Sequence, residues 1–296
     1  MIDGATRLLG LIGHPLSHSL SPFFQNYLLA RSGLNARYVP FPVERADALR
    51  DALRGLAAAG LAGVNVTIPH KVAAAALCDE LSRDARAAGA VNTIVFRGGR
   101  LEGHNTDIPG FLAPLTAGRV TVAGRQCVVL GAGGAARAIA FALARSGGLV
   151  TVTARDRTRA LEVAAAAESA SEGMLHAVAW EERAGAIAEA HLVVNATPLG
   201  QVGPRAGASP LDAGTPVRAE QVFYDLVYNP VRTRFLEQAR EGRATAIAGL
   251  EMLVEQGIAS LELWLGLRFD RAVTADVVRR CEEELERRTA WVASGT

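Results

Sequence analysis

The stretch Gln126–Leu130 (QCVVL) runs straight into Gly131-Ala132-Gly133-Gly134-Ala135-Ala136, and an Ala-rich segment follows to Arg145. An apolar run this short, ended by glycine, reads as a buried strand. The segment after it has the composition of a helix over 135–145. A glycine turn between strand and helix narrows the folds open to this chain. The first glycine permits the tight turn, and the second lets backbone approach an anion at the positive end of the helix. The spacing fits GxGxxG/A with Ala136 last, the pattern of a dinucleotide-binding βαβ unit. The plainer reading is a tight βα turn without a ligand. Against it, a second strand over Leu149–Ala154 ends where a ribose reader belongs.

The 130 residues before the loop are enough for a domain of their own. Strand and helix patterns alternate there too. Strands are expected at 8–12, 38–43, Gly63–Val66 and 90–96, with helices at 23–32, 46–59 and from near His70. After the loop come strands at Leu192–Asn195, Val222–Asp225 and 244–248. Helices are expected at 108–115, 158–171, 232–241, 252–265 and 274–290. The expected architecture is therefore α/β with two domains. Residues 1–106 form a substrate-binding, catalytic α/β domain with a mainly parallel sheet. Residues 107–248 form a Rossmann-like dinucleotide domain, and 249–296 are C-terminal helices.

Of the 296 residues, 31 are basic and 30 acidic, a net charge of +1. Such a balance offers no field for nucleic acid or an anionic membrane, and no apolar run approaches a span. The start, Met1-Ile2-Asp3-Gly4, lacks a basic-then-apolar signal pattern. Cys78, Cys127 and Cys281 are odd in number and far apart, which excludes a disulfide framework and suits a cytoplasmic location. The six histidines form no ligand grouping with acids or cysteines, so no metal is expected. A homodimer is neither specified nor excluded. Thirty of the 31 basic residues are arginine, and the one lysine is Lys71. Where composition so favours arginine, a lone lysine is either chance or a position arginine cannot fill. Lysine can give a proton and take it back, whereas arginine, with a pKa above about 12, cannot.

The end of the Leu149–Ala154 strand bears on the cofactor. An Asp or Glu there would accept from the ribose 2′-OH of NAD. Here Ala154 is followed by Arg155-Asp156-Arg157-Thr158-Arg159. A guanidinium suits a 2′-phosphate, so Arg155 and Arg159 favour NADP. Asp156 complicates the reading, because it can pair with an arginine or compete for the ribose.

Polar clusters sit at the expected strand ends of the first domain: His18-Ser19-Leu20-Ser21-Pro22, Asn65-Val66-Thr67-Ile68-Pro69-His70-Lys71, Gly89-Ala90-Val91-Asn92-Thr93 and His104-Asn105-Thr106-Asp107. Ligands of open α/β sheets bind beyond strand carboxyl ends. These groups together suit a small polyhydroxylated acid. Singly, each has a plainer reading: Ser21 and Asp107 as helix N-caps, Asn92 as a turn residue.

Taken with GAGGAA (131–136), NATPLG (195–200), DLVYNP (225–230) and GLEMLVEQG (249–257), the clusters closely resemble the shikimate dehydrogenase family, in the family's order and across nearly the whole chain. The resemblance implies an NADP-dependent oxidoreductase that reduces 3-dehydroshikimate to shikimate, a step of aromatic amino-acid biosynthesis. It implies that Lys71 and Asp107 are the catalytic pair. Ser19 and Ser21 would hold the substrate carboxylate, with Tyr228 near that end, and Thr67, Asn92 and Gln256 would contact ring hydroxyls. Gly131, Ala132, Gly133, Gly134, Ala135, Arg155, Arg159, Asn195, Thr197 and Gly249 would line the cofactor. It also implies that the C-terminal helices return to the first domain, so that Gln256 closes the pocket. Four positions depart from the family pattern: Gln25 where His is common, Ala154 and Asp156 in place of Asn and Thr, and Gln201 where a methionine usually lies. Two alternatives stay open, a quinate/shikimate dehydrogenase using NAD and a non-catalytic NADP(H)-sensing relative.

Overall fold

A computed structural model describes residues 2–171 and 174–293. It divides into two compact units. One comprises the chain up to Gly110 together with Val254–Cys281; the other comprises Phe111–Leu253 and the chain from Glu282 onward.

The first unit contains β1 (Arg7–Gly13), α1 (Ser21–Arg31), β2 (Ala36–Pro42), α2 (Leu49–Ala58), β3 (Gly63–Val66), α3 (Lys71–Leu77), β4 (Glu80–Leu81), α4 (Arg83–Ala88), β5 (Thr93–Arg97) and β6 (Arg100–His104). Helix α5 (Asp107–Ala117) begins in it. The sheet order is β2-β1-β3-β5-β6-β4. β1 is parallel to β2 and β3, and β4 to β6. β5 is the exception to the expected parallel sheet, running antiparallel to both neighbours. A tight hairpin at Gly98-Gly99, both with positive φ, accounts for one of those reversals. Ile12, Leu49, Leu53, Val64, Val66, Ile94 and Leu101 form the core on one face of the sheet. The expected helix 46–59 opens as a 3-10 turn at Ala46–Ala48 before becoming α2.

The second unit contains β7 (Gln126–Leu130), α6 (Gly134–Arg145), β8 (Leu149–Ala154), α7 (Arg157–Ala170), β9 (Leu175–Ala179), α8 (Arg183–Glu189), β10 (Leu192–Asn195), β11 (Val222–Asp225), α9 (Arg234–Glu241) and β12 (Thr245–Ile247). The order β12-β11-β10-β7-β8-β9 is parallel at every pairing. This is the doubly wound order, whose direction reverses between β7 and β10. Val128, Leu130, Val193, Phe223, Phe235 and Leu236 fill the core, and Phe111 stacks on Tyr224 at 4.9 Å.

Two helices follow, α10 (Gly249–Leu265) and α11 (Ala272–Ala293). From Val254 to Cys281 the chain belongs to the first unit. Within that unit α10 is seated on α1: Gln25 Nε2 donates to the Gly257 carbonyl at 3.1 Å. A Cβ at Gly257 would lie 2.5 Å from the Phe24 ring, so only glycine fits the seam. Farther along, Trp264 Nε1 donates to the Ile94 carbonyl at 2.9 Å. In α11, Glu284 pairs with both Arg287 and Arg288. Among the described residues no helix is long and apolar enough to cross a membrane.

Candidate functional site

In the first unit the chemistry gathers at the carboxyl end of β3. The connection from β3 to α3 is tied to neighbouring chain by backbone bonds. Thr67 N–H donates to Ile12 O at 2.8 Å, and His14 N–H to Ile68 O at 2.9 Å. The His70 ring, 1% exposed, donates from Nε2 to the Val43 carbonyl at 2.6 Å. Lys71 is thereby fixed as the first residue of α3, and its carbonyl accepts from Val91 N–H at 2.9 Å. Its Nζ lies 2.5 Å from Asp107 Oδ2, with only 4% of the Asp107 side chain exposed. Losing one member of so buried a pair leaves the other charge uncompensated, at a cost of about 3–5 kcal/mol.

Asn92 completes the carboxylate's surroundings. Its Nδ2 donates to Asp107 Oδ1 at 2.8 Å and to Gln256 Oε1 at 3.2 Å. Thr106 N–H donates to Asn92 Oδ1 at 2.7 Å. Four sequence-predicted residues, Lys71, Asn92, Asp107 and Gln256, thus meet in one hydrogen-bonded group. The plainer readings of two of them do not hold. Asn92 is buried just before β5 and is not in a turn. The Asp107 carboxylate faces Lys71 and Asn92 instead of capping α5. Ser21 is no N-cap either, since Leu20 holds that position of α1. Instead Ser21 N–H donates to Ser19 Oγ at 3.2 Å, which brings the two hydroxyl residues side by side. Thr67 is half-buried in the β3–α3 connection, and Gly13 leaves room for its methyl group. Among the described residues no group of three His, Cys, Asp or Glu could hold a metal ion.

In the second unit the glycine loop leaves β7 at the point where strand order reverses. Gly131 has φ +123°, and a Cβ there would meet Ala196 O at 2.8 Å, so the loop lies against the one that follows β10. Helix α6 is capped by Gly133 with no side-chain bond, and a Cβ on Gly133 would meet nothing within 4 Å. The first-turn amides of α6 are not claimed by a capping side chain, which fits an incoming anion. Ala132, Gly134 and Ala135 complete this half-exposed cradle.

At the end of β8, Ala154 is buried and Arg155 exposed. The complication posed by Asp156 resolves locally. Its Oδ1 accepts from Arg159 N–H at 3.2 Å as the N-cap of α7, and its Oδ2 lies 3.2 Å from Arg159 Nε. Arg155 has no hydrogen-bond or ion-pair partner among the described residues.

Beyond β10, Asn195 is fully engaged. Its Nδ2 donates to Asp225 Oδ1 at 2.9 Å and its Oδ1 accepts from Thr197 N–H and Oγ1 at 3.0 and 2.6 Å. Asp225 also accepts from Val227 N–H at 3.0 Å and Thr233 Oγ1 at 2.5 Å, tying three segments into one knot. Burial pushes its carboxyl up to about 6, against the pull of those donors. Nothing in composition marked Asp225; its membership of DLVYNP was the only signal. Gly249, which opens α10, packs on the carbonyls of Asp225 and Leu226, and Tyr228 is half-buried in the same loop.

Comparison with known proteins points to one family. Residues 11–94 match the model of the shikimate dehydrogenase substrate binding domain, and residues 249–279 that of the shikimate 5'-dehydrogenase C-terminal domain. The NADP(+) shikimate dehydrogenase of Symbiobacterium thermophilum is 47% identical over 90% of this chain and 91% of its own. That of Salinibacter ruber is 44% identical over 94% and 99%. The crystal structure of shikimate 5-dehydrogenase from Thermus thermophilus with NADP(H) and shikimate superposes with a TM-score of 0.81 at 40% identity, over 93% of this chain and 99% of that one. With such relatives spanning both units, the chain belongs to the shikimate dehydrogenase family.

Proposed function

We propose that this protein catalyses the reversible NADPH-dependent reduction of 3-dehydroshikimate to shikimate. The observation that carries the reading is the buried Lys71–Asp107 pair with Asn92 and Gln256 bonded around it. A protein that only bound ligands would have no use for a proton-exchanging amine held against a carboxylate.

The two units divide the work, the first taking substrate and the second the dinucleotide. The Gly131–Ala135 cradle and the start of α6 accept the pyrophosphate, Arg155 with Arg159 the 2′-phosphate, and the Asn195–Thr197 loop and Gly249 border the nicotinamide half. When bound, the dinucleotide supplies the hydride that adds to the substrate's carbonyl carbon. Ser19 and Ser21 hold the carboxylate, and Thr67, Asn92 and Gln256 hold ring hydroxyls. As the carbonyl π bond breaks, its oxygen takes a proton from Lys71 Nζ, and water returns one to the amine. Asp107 orients the ammonium and accepts from a substrate hydroxyl. In the oxidative direction Lys71 takes the proton back.

The test follows the absorbance of the reduced nicotinamide with shikimate and quinate, each with NADP and NAD. Turnover of shikimate with NADP well above the other three combinations is expected. Preference for quinate or NAD, or no turnover with any pair, overturns the reading.

A further inference from the structure

Behind Asn92 the first unit buries a web of polar side chains that the reading above does not use. Tyr38 on β2, Asn65 on β3, Thr93 on β5, Thr106 before α5 and Ser260 on α10 are each 5% exposed or less. Tyr38 OH donates to Asn65 Oδ1 at 2.8 Å. Asn65 Nδ2 lies 3.1 Å from the Asn92 carbonyl oxygen, 3.0 Å from Thr93 Oγ1 and 2.9 Å from Ser260 Oγ. Thr93 Oγ1 donates to Asn92 Oδ1 at 3.1 Å. The hydroxyls of Thr93, Thr106 and Ser260 lie 2.9–3.1 Å from one another.

Two backbone groups fix which way these bonds point. The carbonyl of Asn92 can only accept, so the Asn65 end facing it is the NH2. The Asn65 oxygen then faces Tyr38, whose phenol must donate. The amide of Thr106 can only donate, so the Asn92 end facing it is the oxygen, and the Asn92 NH2 faces Asp107. Between the two amides, Thr93 accepts from Asn65 and has one hydrogen left, for Asn92 Oδ1. The Asn65 NH2 has two hydrogens, one for the Asn92 carbonyl and one for Thr93; Ser260 sends its own hydrogen to the Gln256 carbonyl at 2.9 Å and receives from the Thr106 hydroxyl at 3.1 Å. The result is one direction of donation, Tyr38 to Asn65 to Thr93 to Asn92 to Asp107, with side contacts from Asn65 to the Asn92 carbonyl and from Asn92 Nδ2 to Thr106 Oγ1 at 2.9 Å and Gln256 Oε1 at 3.2 Å.

We propose that Tyr38, Asn65 and Thr93 are positioning residues, a one-way donor chain that acts through Asn92 to orient the Asp107 carboxylate holding Lys71. The proposal rests on the reading of Lys71 and Asp107 as the catalytic pair. Aligned donors polarise one another in a low-dielectric interior, and each makes the next a better donor. A buried carboxylate benefits most from such alignment, because burial otherwise disfavours its charge. The chain starts on β2, at the far side of the parallel β1–β3 pair, and ends at the first residue of α5. It therefore ties the carboxylate's orientation to the sheet as a whole.

Thr93→Val removes the hydroxyl and keeps the branched shape. Tyr38→Phe removes the first donor and keeps the ring. Expected is a loss of kcat of about tenfold for Thr93→Val, the worth of one hydrogen bond to this network, with a smaller loss for Tyr38→Phe. The KM for NADPH is unchanged, and Thr93→Ser recovers most of kcat. In an Asp107→Asn background, itself slow, Thr93→Val costs nothing further, because the chain has lost its terminus. Equal losses from Thr93→Val in both backgrounds, or a variant that melts lower at wild-type kcat, overturn the proposal. Wild-type turnover by Asp107→Asn alone instead overturns the catalytic pair, and this chain with it. Should Thr93→Val fail to fold, Tyr38→Phe in the wild-type and Asp107→Asn backgrounds carries the same comparison.

Discussion

At the scale of single residues, the chain's only lysine stands where an amine can meet a carboxylate in a nearly closed setting. Lys71→Arg keeps the charge and most of the reach but replaces the amine with a group that does not give up its proton. A fall in kcat of about 10²–10⁴ is expected, the usual worth of a positioned proton donor, with a smaller change in shikimate affinity. Steady-state kinetics with near-normal kcat would exclude proton transfer by this residue. Arg155 offers a second test, since its guanidinium is exposed beside the buried Ala154. Arg155→Ala should raise KM for NADP about tenfold or more and leave KM for NAD nearly unchanged. Equal losses for both cofactors would mean that the strand end has been misread. Lys71, Asn92, Asp107 and Gln256 were legible because each sits in a motif with its own chemistry. Thr93 showed only as the end of the Gly89–Thr93 cluster, and Tyr38 and Ser260 not at all, since a hydroxyl on a buried strand or helix face looks like core filler until its partners are known.

Secondary-structure elements were legible in proportion to their apolar content. Gly63–Val66, Gln126–Leu130, Leu149–Ala154, Leu192–Asn195 and Val222–Asp225 coincide with the strands expected, because each is a compact buried run between clear breakers. β4, α4, β6, β9 and α8 were not anticipated. β4 has two residues, β6 carries Arg100, Glu102 and Gly103, and β9 is an edge strand buried at one end only. Such pieces are ordered by what they pack on, with little signal of their own. At the β11 end, Asp225 makes stability depend on pH in a stated direction. Its carboxyl is raised to about 6 in the fold, so the folded protein keeps this proton where the unfolded chain has lost it. Between about pH 4 and pH 6 its contribution falls as pH rises, and above that it stays level. Denaturant midpoints of wild type and Asp225→Asn at about pH 4 and about pH 7 should show the wild type losing about 3 kcal/mol relative to the variant. A pH-independent difference would show that Asp225 stays charged throughout. On α10, Gly257→Ala drives a methyl group into Phe24. Overpacking of this kind costs about 1–3 kcal/mol, and the displaced helix carries Gln256, so a raised KM for shikimate should accompany the lowered melting temperature.

On the scale of the whole molecule, the division into two units follows contacts and not chain order. A first part ending near 106 was expected, with the C-terminal helices returning to it; the first unit takes Val254–Cys281 from them. Gln256, Ser260 and Trp264, all from that late segment, bond to Asn92, Asn65 and Ile94 of the early one. A fragment covering 1–110 should therefore stay largely unfolded by circular dichroism, and a peptide of 254–281 should restore structure on mixing. A fragment that is cooperatively folded alone would contradict this dependence.

The late arrival of α10 also sets a timetable on the ribosome. At about 5–20 residues per second, the interval between Gly110 and Cys281 is on the order of ten to thirty seconds. Throughout it Phe24 and Gly63 wait for the helix that will cover them, while the second sheet is complete once Ile247 has emerged. The sheet that is made first is covered last. During that wait its bare seam is the surface a nascent-chain chaperone would meet.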